Sequence, residues 1–560
     1  MSGFGDNDDG PADVSGFNWN SPFDGAAAYT ASPNLGTEWE IPFRAEAYMP
    51  AYLTYSAELQ RIAVGLSTMA PARGDQRFRD DAWSANPVHR TQLQSYLAYC
   101  RFAQDWLDGS KLEGMEKSRA QFRLDTLLAA LSPSNSLYMN PTALSRYRET
   151  GGASYVEGMK NYARDLRENQ GRPRQFDPSK FELGENLATL PGQVVFRNEM
   201  VELIQYAATT DRVHAVPMLV CSSVVNKYYL CDLTPEGSLY RFLVDEGYQV
   251  FVAVWRNPTE AQAHWGVAEY VGALLQVINV VTDIADNQQP HLTGFCAGAY
   301  ITLSTLAYQA ATNKRTVATH SIILNAVDTV PEESPFSAMS SDQELAASKQ
   351  RVIERGICTA DELTLSFNVL QPDKLYWPYF VQNYLLGEDP DDTAVMFWMN
   401  DQVNLPARMF CQFIDISRDR ALVRGEITVG DIRVDLGAID CETFMLGALK
   451  DHVVPWSAVY RTREHLHGPT RFVLTTGGHV TGMVTAADDP REACLTNDDT
   501  TNDPEAWLAG TTEQPHSWRY EWVAFLHTAA GDMVEAPVAC GNIAYPALTA
   551  APGLFVLETV

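Results

Sequence analysis

From Met218 onward the chain alternates two kinds of apolar segment, and this alternation is what most restricts its fold. "MLVC" (Met218 to Cys221), "YQVFVAVW" (Tyr248 to Trp255) and "THSIILNAVD" are short, β-branched or aromatic runs closed by turn residues. Between them, Val267, Tyr270, Val271, Leu274, Leu275, Ile278 and Val281 recur at intervals of three and four, the period of an amphipathic helix of about five turns. Strand, helix, strand, helix in this order requires parallel pairing, hence an α/β domain with helices covering its sheet. Before Pro191 there is no convincing strand. "LQSYLAYCRFAQDWLDG" places Leu93, Tyr96, Leu97, Cys100, Phe102 and Trp106 broadly on one helical face, with Gly109 as a stop. "TGGASYVEGMKNYARDL" reads as a further helix.

Four regions follow from these patterns. Residues 1–40 are acidic and rich in Gly, Asp, Asn, Ser and Pro, the composition of a disordered leader. Residues 41–190 form a mainly helical N-terminal domain. Residues 191–560 form the α/β domain, with an aromatic, helical insertion at about 329–435 reading as a cap over the sheet's active edge. The sheet resumes at "CETFMLGA" (Cys441 to Ala448) and "TRFVLTT" (Thr470 to Thr476).

"TGFCAG" lies where a strand pattern meets a helix pattern. A nucleophile at such a turn occupies a crowded backbone position, so the residues two before and two after it must be small. Gly294 and Gly298 fill both places around Cys296. Taken alone, the spacing leaves two readings, a reactive thiol or a packed cysteine at a strand end. Two further residues favour the first. Asp451 in "LGALKDHVVPW" and His479 in "TTGGHVTG" each follow a strand, in the nucleophile–acid–histidine order of the α/β-hydrolase fold. Singly, Asp451 reads equally well as a turn residue and His479 as a loop histidine. His452 is a second candidate base beside Asp451. His465 and His467 read as solvated residues of a polar helix.

Other chemistries are disfavoured. No phosphate-cradling glycine motif and no C-x-x-C occurs, so neither a nucleotide cofactor nor a zinc site is expected, and nine scattered cysteines suggest free thiols. A net charge of −29 opposes binding to nucleic acid. This acidity, with only Lys111, Lys117 and Lys160 before Lys180, fits a high-salt protein; a GC-rich genome accounts equally for the scarce lysine. Glu269 and Asp283 interrupt the longest apolar stretch, so no membrane span is expected, and without a basic-then-apolar start the expected compartment is the cytoplasm.

The chain also resembles the polyhydroxyalkanoate synthases, thiol polymerases that make storage polyesters. The resemblance runs from about Asp81 to Phe555 through "DDAWSANP", "NPTALSRYRETGGAS", "VVFRNEMVELIQY", "NKYYLCDLTPEGSL", "VWRNPT", "NYLLGEDP", "DHVVPW", "GGHV" and "YPALTAAPGLFV". In build it is closest to the single-subunit, medium-chain class. The resemblance implies Cys296, Asp451 and His479 as catalytic residues. It implies oxyanion donors at the backbone N–H of Ala297 and near Val225. Trp398 matches a cap aromatic, with a core tryptophan as the other reading. It further implies (R)-3-hydroxyacyl-CoA and a growing polyester as reactants, no cofactor beyond the CoA of the substrate, a homodimer, and work at polyester granule surfaces. Three places depart from the pattern: Ala299 where glycine or serine is usual, Ser222-Ser223 where two prolines are usual, and "TAADDPREAC" after "GGHV". A cysteine thioesterase or depolymerase, and a weakly active or non-catalytic granule-associated paralogue, are the alternatives on the same scaffold.

Overall fold

The computed structural model describes residues 41–499 and 501–559; the expected leader, residues 1–40, lies outside them. The first helices are α1 (Ala45–Ala63), α2 (Pro87–Gly109), α3 (Gly114–Ala130), α4 (Pro141–Glu149) and α5 (Ala153–Glu168). Their ends follow local chemistry. The Asn86 side chain accepts from Val88 N–H ahead of α2, Asn140 does the same for Ala143 in α4, and Gly152 at φ +90° opens α5.

Eleven strands form one sheet: β1 (Gly192–Arg197), β2 (Val201–Tyr206), β3 (Met218–Cys221), β4 (Val250–Trp255), β5 (His291–Phe295), β6 (His320–Ile323), β7 (Thr443–Ala448), β8 (Thr470–Thr475), β9 (Cys494–Thr496), β10 (Thr512–Gln514) and β11 (Thr549–Ala550). Their spatial order is β10-β9-β8-β7-β6-β5-β3-β4-β2-β1-β11. The six from β8 to β4 pair in parallel, and antiparallel strands extend both edges. Every residue of β3, β4 and β5 is buried, because helices cover both faces and leave no solvated side to alternate with.

Strands β3 and β4 were legible as unbroken apolar runs. Strands β1 and β2 were not: Gln193, Arg197, Glu202 and Gln205 interrupt them, and Glu202 is fully buried because its carboxylate accepts the N–H groups of Leu554 and Phe555, both at 2.9 Å.

Helices α6 (Val267–Ile284) and α7 (Gly298–Ala311) pack on the sheet. Among the described residues, α6 is the one helix long and apolar enough to cross a membrane, despite Glu269 and Asp283. Here its apolar face, from Val267 through Val281, is buried within the domain. Helix α7 is buried almost all round, as an apolar helix must be.

Between β6 and β7 the chain leaves the sheet for a run of short helices from Pro335–Met339 to Ala407–Ser417. These lean on the N-terminal helices. Asn161 Nδ2 donates to Asn383 O at 3.1 Å, and the Tyr384 hydroxyl donates to Asp165 Oδ2 at 3.0 Å. The helices meet so closely that a Cβ at Gly158 would overlap the Tyr384 carbonyl. Lys227, Trp398 and Asp401 tie the inserted segment to the loop after β3: Lys227 Nζ lies 2.7 Å from Asp401 Oδ1, and Trp398 Nε1 donates to Lys227 O at 2.8 Å.

One histidine departs from its expected setting. His465 ends a short 3-10 helix (Arg463–His465) but is not free in solvent; its Nε2 lies 2.8 Å from Asp328 Oδ2, and Arg420 pairs with the other oxygen. Asp328 is nearly buried, so the pairs satisfy its charge. The motif was unreadable because the partner is 137 residues away.

Candidate active site

Five neighbouring parallel strands, β3, β5, β6, β7 and β8, end at one edge of the sheet, where α/β folds place their ligands. The segments that leave them carry Ser222–Tyr228, Cys296, Asn325, Asp451 and His479 in turn.

Cys296 follows β5 directly, and its φ is +44°. A non-glycine residue in this region is strained and is held there only by its surroundings. The surroundings are tight. A Cβ at Gly294 would stand 2.5 Å from Ala299 Cα, and one at Gly298 would stand 2.5 Å from Cys221 O and 2.6 Å from Ser222 O. The two glycines therefore let α7 close on β5 and let the loop after β3 close on the cysteine turn. Ala299 is fully buried against Gly294.

Asp451 and His479 meet across two loops that bond to each other, with Leu449 N–H donating to Thr475 O at 2.8 Å and Lys450 N–H to Gly477 O at 2.9 Å. Asp451 Oδ2 lies 2.7 Å from His479 Nδ1. Its Oδ1 accepts from the N–H groups of Val453 and Val454 at 2.7 and 2.9 Å. The carboxylate thus caps a turn and also bonds the His479 ring. Its side chain is wholly buried. The imidazole and Cys296 line the same chamber. Burial alone would depress the His479 pKa, but the Asp451 carboxylate and the Cys296 thiol outweigh it and hold the imidazolium well above its ordinary range. His452 faces the same space, and burial lowers its pKa.

Cys296 stands between two chambers. One, of about 90 Å³, is lined by His479, His452, Trp398, Ser222, Ser223 and Met483. The other, of about 170 Å³, is lined by Ala297, Val225, Asn325, Tyr300, Phe413 and Phe336. The base therefore faces one chamber and the two expected oxyanion residues face the other. Among the described residues Ala297 N–H has no hydrogen-bond partner, as a waiting donor should. Val225 differs from expectation, because its N–H already donates to Ser223 Oγ at 3.3 Å. Ser222 and Ser223 fix the loop by hydrogen bonds, with Ser222 Oγ donating to Ala253 O at 2.6 Å. Trp398 is both packed and at the wall of a chamber. It is buried and bonded to the backbone, and it also walls the His479 chamber.

Asn325 was missed in the sequence. The signal available was its place two residues beyond a strand of the active edge.

Among the described residues no group of three or more His, Cys, Asp or Glu side chains is placed to hold a metal ion.

Comparison with known proteins agrees with this architecture. Residues 74–243 match the family described as poly-beta-hydroxybutyrate polymerase (PhaC) N-terminus, and residues 232–485 match the alpha/beta hydrolase fold. Poly(3-hydroxyalkanoate) polymerase 1 of Ectopseudomonas oleovorans is 36% identical over 505 residues, covering 90% of each chain. Poly(3-hydroxyalkanoate) polymerase 2 of the same organism is 35% identical, again over 90% of each. The poly(3-hydroxyalkanoate) polymerase subunit PhaC of Cupriavidus necator is 34% identical, over 90% of this chain and 86% of that one.

Proposed function

We propose a mechanism for this chain from the premise that it belongs to the poly(3-hydroxyalkanoate) polymerases, a family of acyltransferases. In this reading it polymerises (R)-3-hydroxyacyl-CoA through an acyl group carried on Cys296, and the Asp451–His479 pair facing the same chamber as Cys296 is the observation that carries it. His479 takes the thiol proton, and the thiolate attacks the thioester carbonyl. The oxygen gains negative charge facing Ala297 N–H at the start of α7. The carbon–sulfur bond to CoA then breaks, and His479 returns the proton to the departing thiolate. For chain growth, a 3-hydroxyl gives its proton to His479 as its oxygen attacks an acyl thioester. An ester bond forms and a thiolate leaves with the proton. Each step conserves electrons, so the reaction calls for no cofactor.

Asp451 acts in this scheme through His479. Its Oδ1 is filled by two backbone N–H groups, its Oδ2 by the imidazole, and its side chain has no open surface. A substrate hydroxyl meets no exposed surface of Asp451. The inserted helices wall both chambers and so limit water, which would otherwise hydrolyse the acyl-enzyme.

The proposal extends to a homodimer at the surface of the insoluble polyester. Exposed apolar side chains on the N-terminal helices, including Met49, Leu53 and Val88, offer apolar surface there.

Product analysis tests the reading. CoA release with recovered polyester, abolished in Cys296→Ala, is the expected result. CoA release with only free hydroxy acid makes the chain a thioesterase. CoA release unchanged in Cys296→Ala removes Cys296 as the nucleophile.

A further inference from the structure

Arg519 is 1% exposed, yet among the described residues its guanidinium is in no ion pair. Burial lowers its pKa to about 10, with the Glu492 charge acting against this from farther off, so the side chain keeps its proton at neutral pH. A buried cation without a counter-charge is unfavourable, so it calls for an explanation. Its contacts supply one. The two N–H groups of Nη2 donate to Gly237 O at 2.9 Å and to Met483 O at 2.8 Å. Both acceptor residues are buried, and neither carbonyl has another donor among the described residues. Nε makes no hydrogen bond, so one nitrogen joins two segments.

Both segments wall the His479 chamber. Met483 lies in the single helical turn Thr481–Val484, which begins two residues after His479. Gly237 lies between β3 and the helix Leu239–Asp245. Leu230, Cys231 and Tyr240, around Gly237, line the chamber together with His479, Val480 and Met483. The segments touch at Gly237, where a Cβ would stand 2.2 Å from Val484 O. Trp518, the residue before Arg519, donates its Nε1 to Gly482 O at 2.8 Å. Successive side chains at the start of the helix Trp518–His527 thus hold successive carbonyls of the turn. The turn in turn holds the histidine's backbone. Gly482 N–H donates to Gly478 O at 3.0 Å and Met483 N–H to Val480 O at 2.9 Å, the residues on either side of His479.

Resting on the acyl-transfer reading above, we propose that Arg519 is a positioning residue for His479: it braces the turn after the histidine against the segment after β3, and so sets where the imidazole stands relative to the Cys296 thiol. Asp451 bonds the ring through Nδ1, whereas Arg519 fixes the backbone that carries the ring. Packing alone would be served as well by a methionine, which also removes the uncompensated charge. What a methionine lacks is the pair of donors, and this separates positioning from packing.

Two readouts test the proposal. Alkylation of Cys296 by iodoacetamide, followed by peptide mass from about pH 5 to about pH 10, reads the thiol and its base without any acyl substrate. Single-turnover CoA release from 3-hydroxybutyryl-CoA reads acylation. Arg519→Met should move the alkylation curve toward that of an ordinary cysteine, centred near about pH 8.5, and slow acylation about 10- to 100-fold. Arg519→Lys, which keeps the charge and N–H donors on a shorter stem, should recover most of both. Val523→Ala trims a buried apolar side chain on the same helix; it should lower the urea midpoint and leave the alkylation curve in place. A native alkylation curve in folded Arg519→Met overturns the proposal. An equal shift in Val523→Ala also overturns it, because any loosening of the helix would then suffice. If Arg519→Met does not fold, Arg519→Gln decides, since its amide keeps N–H donors on a shorter, uncharged stem: a smaller shift in the same direction supports the proposal and a native curve overturns it. The acyl-transfer reading fails separately. A native enzyme with a displaced alkylation curve but no CoA burst refutes that reading and leaves the bracing of His479 standing.

Discussion

Lys227 Nζ stands 2.7 Å from Asp401 Oδ1, and the two side chains are 4% and 19% exposed. The pair joins the inserted helices to the loop that faces Cys296. Tyr229 donates its hydroxyl to Asp401 Oδ2 at 2.8 Å, and Lys227 also donates to Val556 O at 2.7 Å. Removing one partner leaves a buried charge uncompensated. Asp401→Asn should therefore cost about 3 kcal/mol in urea unfolding. The double variant Lys227→Met/Asp401→Leu should cost less than either single one. A double variant that loses the sum of both would mean that the two residues do not act as a pair.

Asp451→Asn removes the charge that holds the His479 imidazolium in place, while the burial that opposes it remains. The pH at which the ring loses its proton, followed by NMR, should fall below that of the native enzyme. Acylation should slow by about 10³- to 10⁴-fold, as for orienting carboxylates in comparable triads. An unchanged ring titration would remove the carboxylate from the relay.

Three glycines separate packing from flexibility. Gly298→Ala would drive a methyl group into the carbonyls of Cys221 and Ser222. Because backbone has to yield, it should destabilise by about 2–3 kcal/mol and slow acylation at least as strongly. Gly294→Ala should behave likewise against Ala299. Gly272 lies inside α6, and nothing stands within 4 Å of the place its methyl group would take in an alanine. There alanine should stabilise by about 0.5–1 kcal/mol and leave activity unchanged. Urea midpoints and single-turnover acylation rates of the three variants check both halves of this expectation.

Acid should unfold the protein through two buried histidines. Burial lowers the pKa of His291 and of His320 to about 3. His291 shares Nδ1 with Thr319 and faces His214, His527 and Tyr248; His320 shares Nε2 with Thr302. The unfolded chain takes up these protons below about pH 6.5, whereas the folded chain refuses them until about pH 3. Their contribution is therefore fully present above about pH 6.5 and is lost as the pH falls toward about 3. At about pH 5 the loss is roughly 2 kcal/mol for each. Urea midpoints at about pH 7 and about pH 5 should show it, and His320→Gln should remove about half of the difference.

What the sequence displayed was whatever has a short-range signature. Gly294, Cys296 and Gly298 lie within five residues, β3 and β4 are continuous apolar runs, and Asp451 and His479 each adjoin a strand. What it hid depends on distant partners. The polar residues of β1 and β2 are stabilised by the segment around Leu554. His465 looks solvated until the fold brings it to Asp328. Val225 is a plausible donor in sequence, and only the loop's geometry shows its N–H committed to Ser223. Arg519 had no motif at all, because its two acceptors lie in segments that only the fold brings together.

The contact between α5 and the inserted helices has a historical consequence. A bare α/β-hydrolase core has no use for Asp165 or Asn161, whose roles are to receive Tyr384 and to hold the Asn383 carbonyl. Conversely, the Asn383 carbonyl and the Tyr384 hydroxyl of the inserted segment find these partners on α5. Each addition to the core leaves the other's polar groups bare if lost alone. The two are expected to have been gained, and to be inherited, as one unit, so that a descendant shedding its N-terminal helices would have to rebuild the roof over Cys296.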